Sequence, residues 1–245
     1  MSNAKKAVRG GRIGLAAVLY GQGFGSRREC ESRVVSGIVS VAGRVCDDPE
    51  EIFDTEGLVF NVDGRDWPWR EHALVLLHKP AGYECSAKPK HHPSVMSLLP
   101  MPLRLRGVQP VGRLDEDTTG LLLLTDDGAL IHRLTSPKKH VPKVYEVTCK
   151  HAVDERQLRA LLDGVVLDDE PVLVRAAACE PTPNNAGAHT LRLTLTEGKY
   201  HQVKRMVAAA GNRVEALHRS AFGAVTIPAH IGPGEWCWLA GDTVF

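Results

Sequence analysis

The sequence predicts an α+β protein, in which a small N-terminal module precedes a larger domain built on a mixed, largely antiparallel sheet flanked by helices. Residues 144–148 and 191–195 alternate apolar and polar side chains, as half-buried strands do. Residues 154–162 and 201–210 instead carry apolar side chains at helical spacing. The strands are joined by turns rather than by regular βαβ crossovers, and no glycine-rich nucleotide fingerprint is present.

The N-terminal part of the chain, residues 12–62, is predicted to be a compact α/β module. An apolar helical face over residues 13–19 comes first and is broken by glycines. Ser26 and Glu29 have the spacing of a capping box, so a second helix is expected to begin there and to end at Gly37. The predicted strands of the module are residues 38–41, 44–45 and 58–62.

The chain is predicted to divide into two domains. Residues 1–66 form the first, which includes an N-terminal tail, and residues 73–245 form the second, with a linker over about residues 63–72. Trp67 and Trp69 lie in this linker, and we interpret them as packing residues rather than as surface residues that stack on RNA bases. Further strands of the second domain are predicted at residues 74–77, 108–111 and 121–125.

Composition is that of an ordinary soluble globular protein, with 43% hydrophobic and 24% charged residues in a chain of 245. We expect a cytoplasmic protein, because no apolar run has the length of a membrane span and no secretory leader is recognisable. The six scattered cysteines form no Cys-x-x-Cys pair, which favours free thiols over a zinc site. His78, His91 and His92 have no carboxylate or thiol at ligand spacing, so no metal and no organic cofactor are expected.

Basic residues are concentrated near the N terminus, although the net charge is only +1. Eight Lys and Arg residues but two acidic ones precede Asp47, whereas residues 47–66 are acidic. A local basic face matters more than total charge for binding a polyanion. A solvated helix surface is the alternative, and charge alone does not separate the two.

Asp115 is the candidate reactive residue. It lies in the sequence Gly-Arg-Leu-Asp-Glu-Asp-Thr-Thr-Gly, residues 112–120, which an apolar strand follows. A buried strand would hold a carboxylate rigidly on this loop. The simpler alternative is a hairpin whose Asp residues cap turns.

Several segments of the second domain together resemble the pseudouridine synthases, which convert uridine in RNA to its C-glycoside isomer. These segments are residues 77–83 (Leu-His-Lys-Pro-Ala-Gly-Tyr), 112–125, 143–147 (Lys-Val-Tyr-Glu-Val), 197–206 (Glu-Gly-Lys-Tyr-His-Gln-Val-Lys-Arg-Met), 217–219 and 233–236. Residues 26–29 and 38–45 resemble the S4 RNA-binding domain. An S4 module before a Gly-Arg-Leu-Asp motif points to the subgroup that acts on ribosomal RNA. The His-Pro-Ser-Val segment at residues 92–95 and the Tyr-His-Gln-Val-Lys-Arg-Met motif point to small-subunit (16S) ribosomal RNA.

The resemblance implies catalytic roles for three residues. Asp115 would be the nucleophile, and Tyr145 would stack on the target base and act as an acid–base group. Lys204 would be the buried partner of Asp115 and keep that carboxylate ionised, with Arg205 as the competing candidate. Asp117 is not catalytic in the family pattern and is interpreted as a turn or RNA-loop residue. The alternative for Tyr145 is an ordinary core tyrosine, and the alternative for Lys204 is a solvated cation on a helix surface.

The resemblance also implies contacts with RNA. Arg113 would fill the gap left when the target uridine swings out of the stack. The other implied RNA-binding residues are Arg27, Arg28, Arg33 and Arg44 in the first domain, and Arg133, Lys138, Lys139, Lys143 and Arg205 in the second.

The expected function is the isomerisation of a specific uridine in ribosomal RNA, most naturally 16S, by base flipping and Asp-mediated cleavage of the glycosidic bond. The expected partner of this monomeric protein is ribosomal RNA or a small-subunit assembly particle. A non-catalytic ribosome-assembly factor on the same fold and a synthase of 23S ribosomal RNA remain as alternatives, and a glycoside hydrolase is a more distant one. The presence of Asp115, Tyr145 and Lys204 favours an enzyme.

Overall fold

The computed structural model describes residues 11–168, 170–182 and 189–240. The predicted basic tail, with Lys5, Lys6 and Arg9, lies outside the described residues. The described chain forms two compact units. The first contains residues 11–73, 99–109 and 125–127, and the second contains the remaining described residues.

The described part of the chain contains both helices and strands. The helices are α1 (Leu15–Gln22), α2 (Arg27–Val35), α3 (Met101–Arg106), α4 (Gly128–Thr135), α5 (Glu155–Asp163) and α6 (Gln202–Ala209), with short 3-10 turns at Val95–Leu98 and Pro137–Lys139. The strands are β1 (Arg12–Gly14), β2 (Val39–Val41), β3 (Arg44–Val45), β4 (Ile52–Asp54), β5 (Val59–Val62), β6 (Arg65–Pro68), β7 (Leu74–Lys79), β8 (Gln109–Pro110), β9 (Thr119–Thr125), β10 (Lys143–Cys149), β11 (Ala178–Pro181), β12 (Thr190–Leu195), β13 (Val214–Phe222), β14 (Val225–Thr226) and β15 (Trp236–Trp238).

The first unit pairs helices α1 and α2 with a sheet in the order β3-β2-β5-β6. The predicted capping box is confirmed, because the Glu29 amide donates to Ser26 Oγ and the Ser26 amide donates to Glu29 Oε2. The start of the predicted first helical face is wrong. Arg12–Gly14 forms β1 and pairs with β4, and helix α1 begins only after Gly14, whose extended backbone ends the strand.

The predicted linker is wrong over residues 65–68, which form strand β6 of the first unit. Asp63 and Gly64 both have positive φ, +51° and +78°, and Val62 lies opposite Arg65. This is the two-residue turn that a β-hairpin favours, and Asp-Gly is a common sequence for it. Trp67 is buried in this unit and packs edge-on against Phe24, with the ring centroids 5.3 Å apart.

A buried arginine explains why two later segments belong to the first unit. Arg106, at the end of α3, donates from Nε and Nη2 to Asp126 at 2.8 and 2.7 Å. Its Nη1 donates to Gln22 Oε1 at 2.6 Å. The same guanidinium reaches the carbonyl oxygens of Arg70 and Glu71 at 3.0 and 2.9 Å. Neither α3 nor this cluster was predicted, because its members are up to 104 positions apart in the sequence.

The second unit is built on a mixed sheet with the strand path β11-β12-β10-β13-β9-β7-β15. Strand β10 pairs antiparallel with β12 and β13, and β15 pairs antiparallel with β7, whereas β13 and β9 run parallel. The predicted α+β class with a mixed, largely antiparallel sheet is therefore confirmed. Its core includes two apolar clusters, one centred on β10, β12 and α6 and one on β7, β9 and α4. Helix α4 was not predicted.

Candidate active site

The loop that carries Asp115, between β8 and β9, is held by a buried lysine. Lys79, the last residue of β7, is fully buried. Its Nζ donates to three main-chain carbonyl oxygens, those of Pro80 at 3.0 Å, Glu116 at 3.0 Å and Thr118 at 2.8 Å. These contacts use all three ammonium donors. Burial lowers the pKa of Lys79, against the opposing effect of nearby acidic groups.

Gly120 allows strand β9 to lie close against β13. Gly120 has a φ of +107°, and a Cβ built on it would lie 2.3 Å from the carbonyl oxygen of Arg219. No larger residue fits there without a shift of the backbone. The close approach sets the register in which Gly120 lies opposite Arg219. Asp115 lines one cleft with side chains of β13 and β10.

The Asp115 carboxylate has a lysine and a histidine as neighbours near the start of α6. Lys204 Nζ lies 3.1 Å from Oδ2, and His201 Nε2 lies 3.3 Å from Oδ1. The side chains of Asp115 and Lys204 are 28% and 27% exposed. The structure therefore brings Lys204 to Asp115 as the resemblance implied, but in a half-buried position rather than a buried one, because both side chains line an open cleft.

Asp117 also binds Lys204. Its two carboxylate oxygens accept from Nζ at 2.7 and 2.9 Å. Burial alone would raise the pKa of Asp117, but the hydrogen bond and charge of Lys204 hold that pKa below its ordinary value. Burial alone would likewise lower the pKa of Lys204, and its bonds to both carboxylates raise it instead. Asp117 is thus more than the turn or RNA-loop residue expected from the sequence.

Sequence analysis did not assign a role to His201. It immediately precedes α6 with a left-handed backbone, φ +46°, and its ring stacks on that of Tyr200 at 3.9 Å. The available signal was its position three residues before Lys204, a spacing that places two side chains on one helix face. The left-handed conformation of a non-glycine residue could not be anticipated.

Asp115 and Tyr145 line one cleft of about 430 Å³. Tyr145 lies on β10, opposite Arg219 of β13, and both face the cleft. Arg219 is 2% exposed, and its Nε donates to the Leu121 carbonyl at 2.8 Å. Its Nη2 has no hydrogen-bond partner among the described residues. Arg219 is a second residue of the site to which sequence analysis gave no role.

Lys143, one of the implied RNA-binding residues, is not a surface residue. It begins β10, is buried, and donates from Nζ to the Val141 carbonyl at 2.9 Å. Burial and the nearby charge of Arg219 lower the pKa of Lys143. Its apolar surroundings include the Phe222 ring, whose centroid is 5.4 Å from Nζ. Two buried cations therefore lie on one wall of the cleft.

The remaining sequence-predicted RNA contacts lie mostly on the surface. Arg113 is exposed and lines the cleft, and Arg205 donates to the Tyr200 carbonyl at 3.2 Å. Arg44 is exposed and forms an ion pair with Glu51. The other exposed residues of this set are Arg27, Arg28, Arg133, Lys138 and Lys139, whereas Arg33 is half-buried.

In residues 11–168, 170–182 and 189–240, no helix is long and apolar enough to cross a membrane. No three His, Cys, Asp or Glu side chains in the same ranges are grouped so that they could hold a metal ion.

Comparison with known proteins identifies the family. Residues 73–209 match the family described as RNA pseudouridylate synthase. An uncharacterized RNA pseudouridine synthase of Bacillus subtilis (strain 168) is 39% identical over 223 residues, 91% of this chain and 92% of that protein. The ribosomal small subunit pseudouridine synthase A of Escherichia coli (strain K12) is 44% identical over 170 residues, 69% of this chain and 71% of that protein.

A solved structure described as a pseudouridylate synthase has 32% identity and a TM-score of 0.65, with 95% of this chain and 98% of that chain covered. The chain belongs to the RNA pseudouridylate synthase family, which confirms the resemblance seen in its motifs. It is therefore an isomerase that acts on RNA.

Proposed function

We propose that this enzyme converts a specific uridine of small-subunit ribosomal RNA to pseudouridine, with Asp115 as the nucleophile. The observation that carries the proposal is the Asp115 carboxylate, paired with Lys204 at 3.1 Å and lining one cleft with Tyr145. The 44% identity to a ribosomal small subunit pseudouridine synthase supports the choice of RNA.

The chemistry explains why one carboxylate is enough. The N1–C1′ bond breaks and the C5–C1′ bond forms, while C5 loses a proton and N1 gains one, so the base is neither lost nor hydrolysed. Positive charge develops on the ribose during cleavage, and an ionised Asp115 stabilises or captures it. The Lys204 ammonium, 3.1 Å from Asp115 Oδ2, is the nearest opposite charge to that carboxylate.

Cleavage also places negative charge on the departing uracil. Lys143 and Arg219 supply buried positive charge on the cleft wall, where electrostatic stabilisation is stronger than in water. Tyr145 stacks on the base while it rotates, and its phenol serves as the acid–base group for the proton that leaves C5. The pair Tyr145 and Arg219 lie opposite each other on adjacent strands, so both act on the same base.

The uridine must leave the RNA stack before Asp115 can reach it. Extrusion costs roughly a few kcal/mol. Arg113 fills the gap under this proposal, and its exposed position in the lining of the cleft supports that role. Arg133, Lys138 and Lys139 hold the flanking backbone through its phosphates.

The N-terminal module supplies affinity and positioning. Arg27 and Arg28, in the first turn of α2, are exposed and suited to phosphate contacts of the S4 kind. The proposed partner is ribosomal RNA or a small-subunit assembly particle, and the proposed state is a cytoplasmic monomer.

Tritium release from [5-³H]uridine-labelled ribosomal RNA tests the proposal, because isomerisation expels the C5 hydrogen and binding alone does not. Wild type should release tritium from the 16S transcript, and Asp115→Asn should release none while its RNA affinity is nearly unchanged. Release from 23S RNA alone would reassign the substrate, and free uracil would indicate a hydrolase. Activity of Asp115→Asn within about tenfold of wild type, or ~1.4 kcal/mol of barrier, would contradict the role of Asp115.

A further inference from the structure

Tyr200 presents an aromatic ring to solvent beside the reacting carboxylate. It is 72% exposed, the highest value among the exposed large hydrophobic side chains of the described chain. One face of the ring is covered by His201, with centroids 3.9 Å apart and planes 18° from parallel. The other face is available for a second stacking partner.

Two contacts hold the segment that carries this ring, one at the main chain of Tyr200 and one at His201. Arg205 donates to the Tyr200 carbonyl at 3.2 Å, and His201 lies 3.3 Å from Asp115 through Nε2. Tyr200 lines the same cleft as Asp115 and Arg113. An ordered aromatic ring loses little conformational entropy when a planar ligand stacks on it, because its own freedom is already restricted.

We propose that Tyr200 stacks on the nucleobase adjacent in sequence to the target uridine, and so forms a flanking-base subsite. Extrusion of the uridine removes a stacking partner from each of its neighbours. The exposed face of Tyr200 restores that contact within the cleft where the uridine reacts. Stacking on an aromatic side chain depends weakly on base identity and is a common way to hold single-stranded RNA. The subsite should therefore accept any base and favour a purine, which has the larger face.

This proposal rests on the isomerase function and adds a substrate contact to it. The probe is the RNA fragment that the wild-type protein converts, with an abasic residue at the 5′ or the 3′ neighbour of the uridine. Should no ribosomal fragment be converted, the choice of ribosomal RNA has failed, and a converted fragment from total cellular RNA replaces it. Binding is measured in the Asp115→Asn background, so that the probe is not consumed.

Tyr200→Leu should weaken binding of the intact probe by about 5- to 150-fold, the effect that loss of one stacked base has in such sites. It should have no such effect on one of the two abasic probes. Tyr200→Phe should restore most of the lost affinity, because it keeps the ring. Val166→Ala, which also removes an exposed apolar side chain but outside the cleft, is the matched control.

The proposal would be overturned if Tyr200→Leu lost the same binding affinity for the intact probe and for both abasic probes. The contribution of Tyr200 to binding would then depend on neither neighbouring base. Unchanged affinity of Tyr200→Leu for the intact probe would overturn it as well.

Discussion

Replacement of Lys79 by methionine should loosen the loop that carries Asp115. Methionine keeps most of the apolar stem but removes the ammonium that joins the end of β7 to the carbonyls of Pro80, Glu116 and Thr118. The Glu116 carbonyl retains the Gly82 amide at 2.9 Å as a donor. The carbonyls of Pro80 and Thr118 lose the lysine.

The size of the effect follows from these contacts. A buried carbonyl left without a donor costs about 1–3 kcal/mol; the bond to Thr118 is buried and the bond to Pro80 partly buried, so the two together cost about 2–5 kcal/mol. Burial of the ammonium is itself unfavourable, and its removal offsets part of that loss. We therefore expect Lys79→Met to lower the free energy of unfolding by about 2–4 kcal/mol, and the melting temperature by about 5–15 °C.

Urea unfolding followed by circular dichroism measures the loss, with single-turnover tritium release for activity. Lys88→Met is the matched control, because Lys88 is exposed. Activity of Lys79→Met should fall even where the protein is fully folded, since a displaced Asp115 no longer meets C1′ in the required geometry. If Lys79→Met had normal activity and a free energy of unfolding within about 0.5 kcal/mol of the Lys88→Met value, Lys79 would not hold the loop in place.

Three further results are expected. Lys204→Met should slow single turnover by about 100-fold or more, and Lys204→Arg should stay within about tenfold of wild type, because arginine restores the charge beside Asp115; equal rates for the two variants would exclude the charge as the cause. The pKa of Cys179 is raised to about 11, chiefly by burial. The protonated thiol therefore contributes its full stability below pH 9, and that stability is lost as the pH rises through 11. Urea midpoints measured from about pH 8 to 11 should fall less in Cys179→Ala than in wild type, and parallel curves would contradict this expectation. Replacement of both Arg27 and Arg28 by alanine should reduce the slope of log affinity against log salt by about 1.4–1.8, and an unchanged slope would show that they do not contact phosphates.

The sequence was sufficient for the elements whose signals are local. The capping box at Ser26 and the alternation in β10 and β12 each appear in a few consecutive residues, and the structure contains all of them. The Asp63-Gly64 hairpin also had a local signal, and the error there was to interpret a turn and a short strand as a linker. Helix α3 had no comparable signal, because its stability depends on the distant partners of Arg106.

The residues of the site likewise divide into those with a recognisable sequence motif and those whose role depends on distant partners. Asp115, Tyr145 and Lys204 could be proposed because their motifs resemble a known family, and their chemical roles stay predictions. Lys79 was quoted only as part of a turn, since its acceptors lie 37 and 39 positions further along the chain. The burial of Lys143 could not be anticipated either, because an isolated lysine is ordinarily a surface residue.

Asp117 is the second carboxylate that pairs with Lys204, and it matters for the proposed reaction. If Asp115 bonds to the ribose, its carboxylate becomes an ester and loses its charge. Lys204, 27% exposed, would then hold a half-buried charge without its first partner. Asp117, at 2.7 and 2.9 Å, remains as a counter-charge throughout. Under this proposal, Asp117 shares Lys204 with Asp115 before the reaction and keeps the ammonium paired with a carboxylate during it.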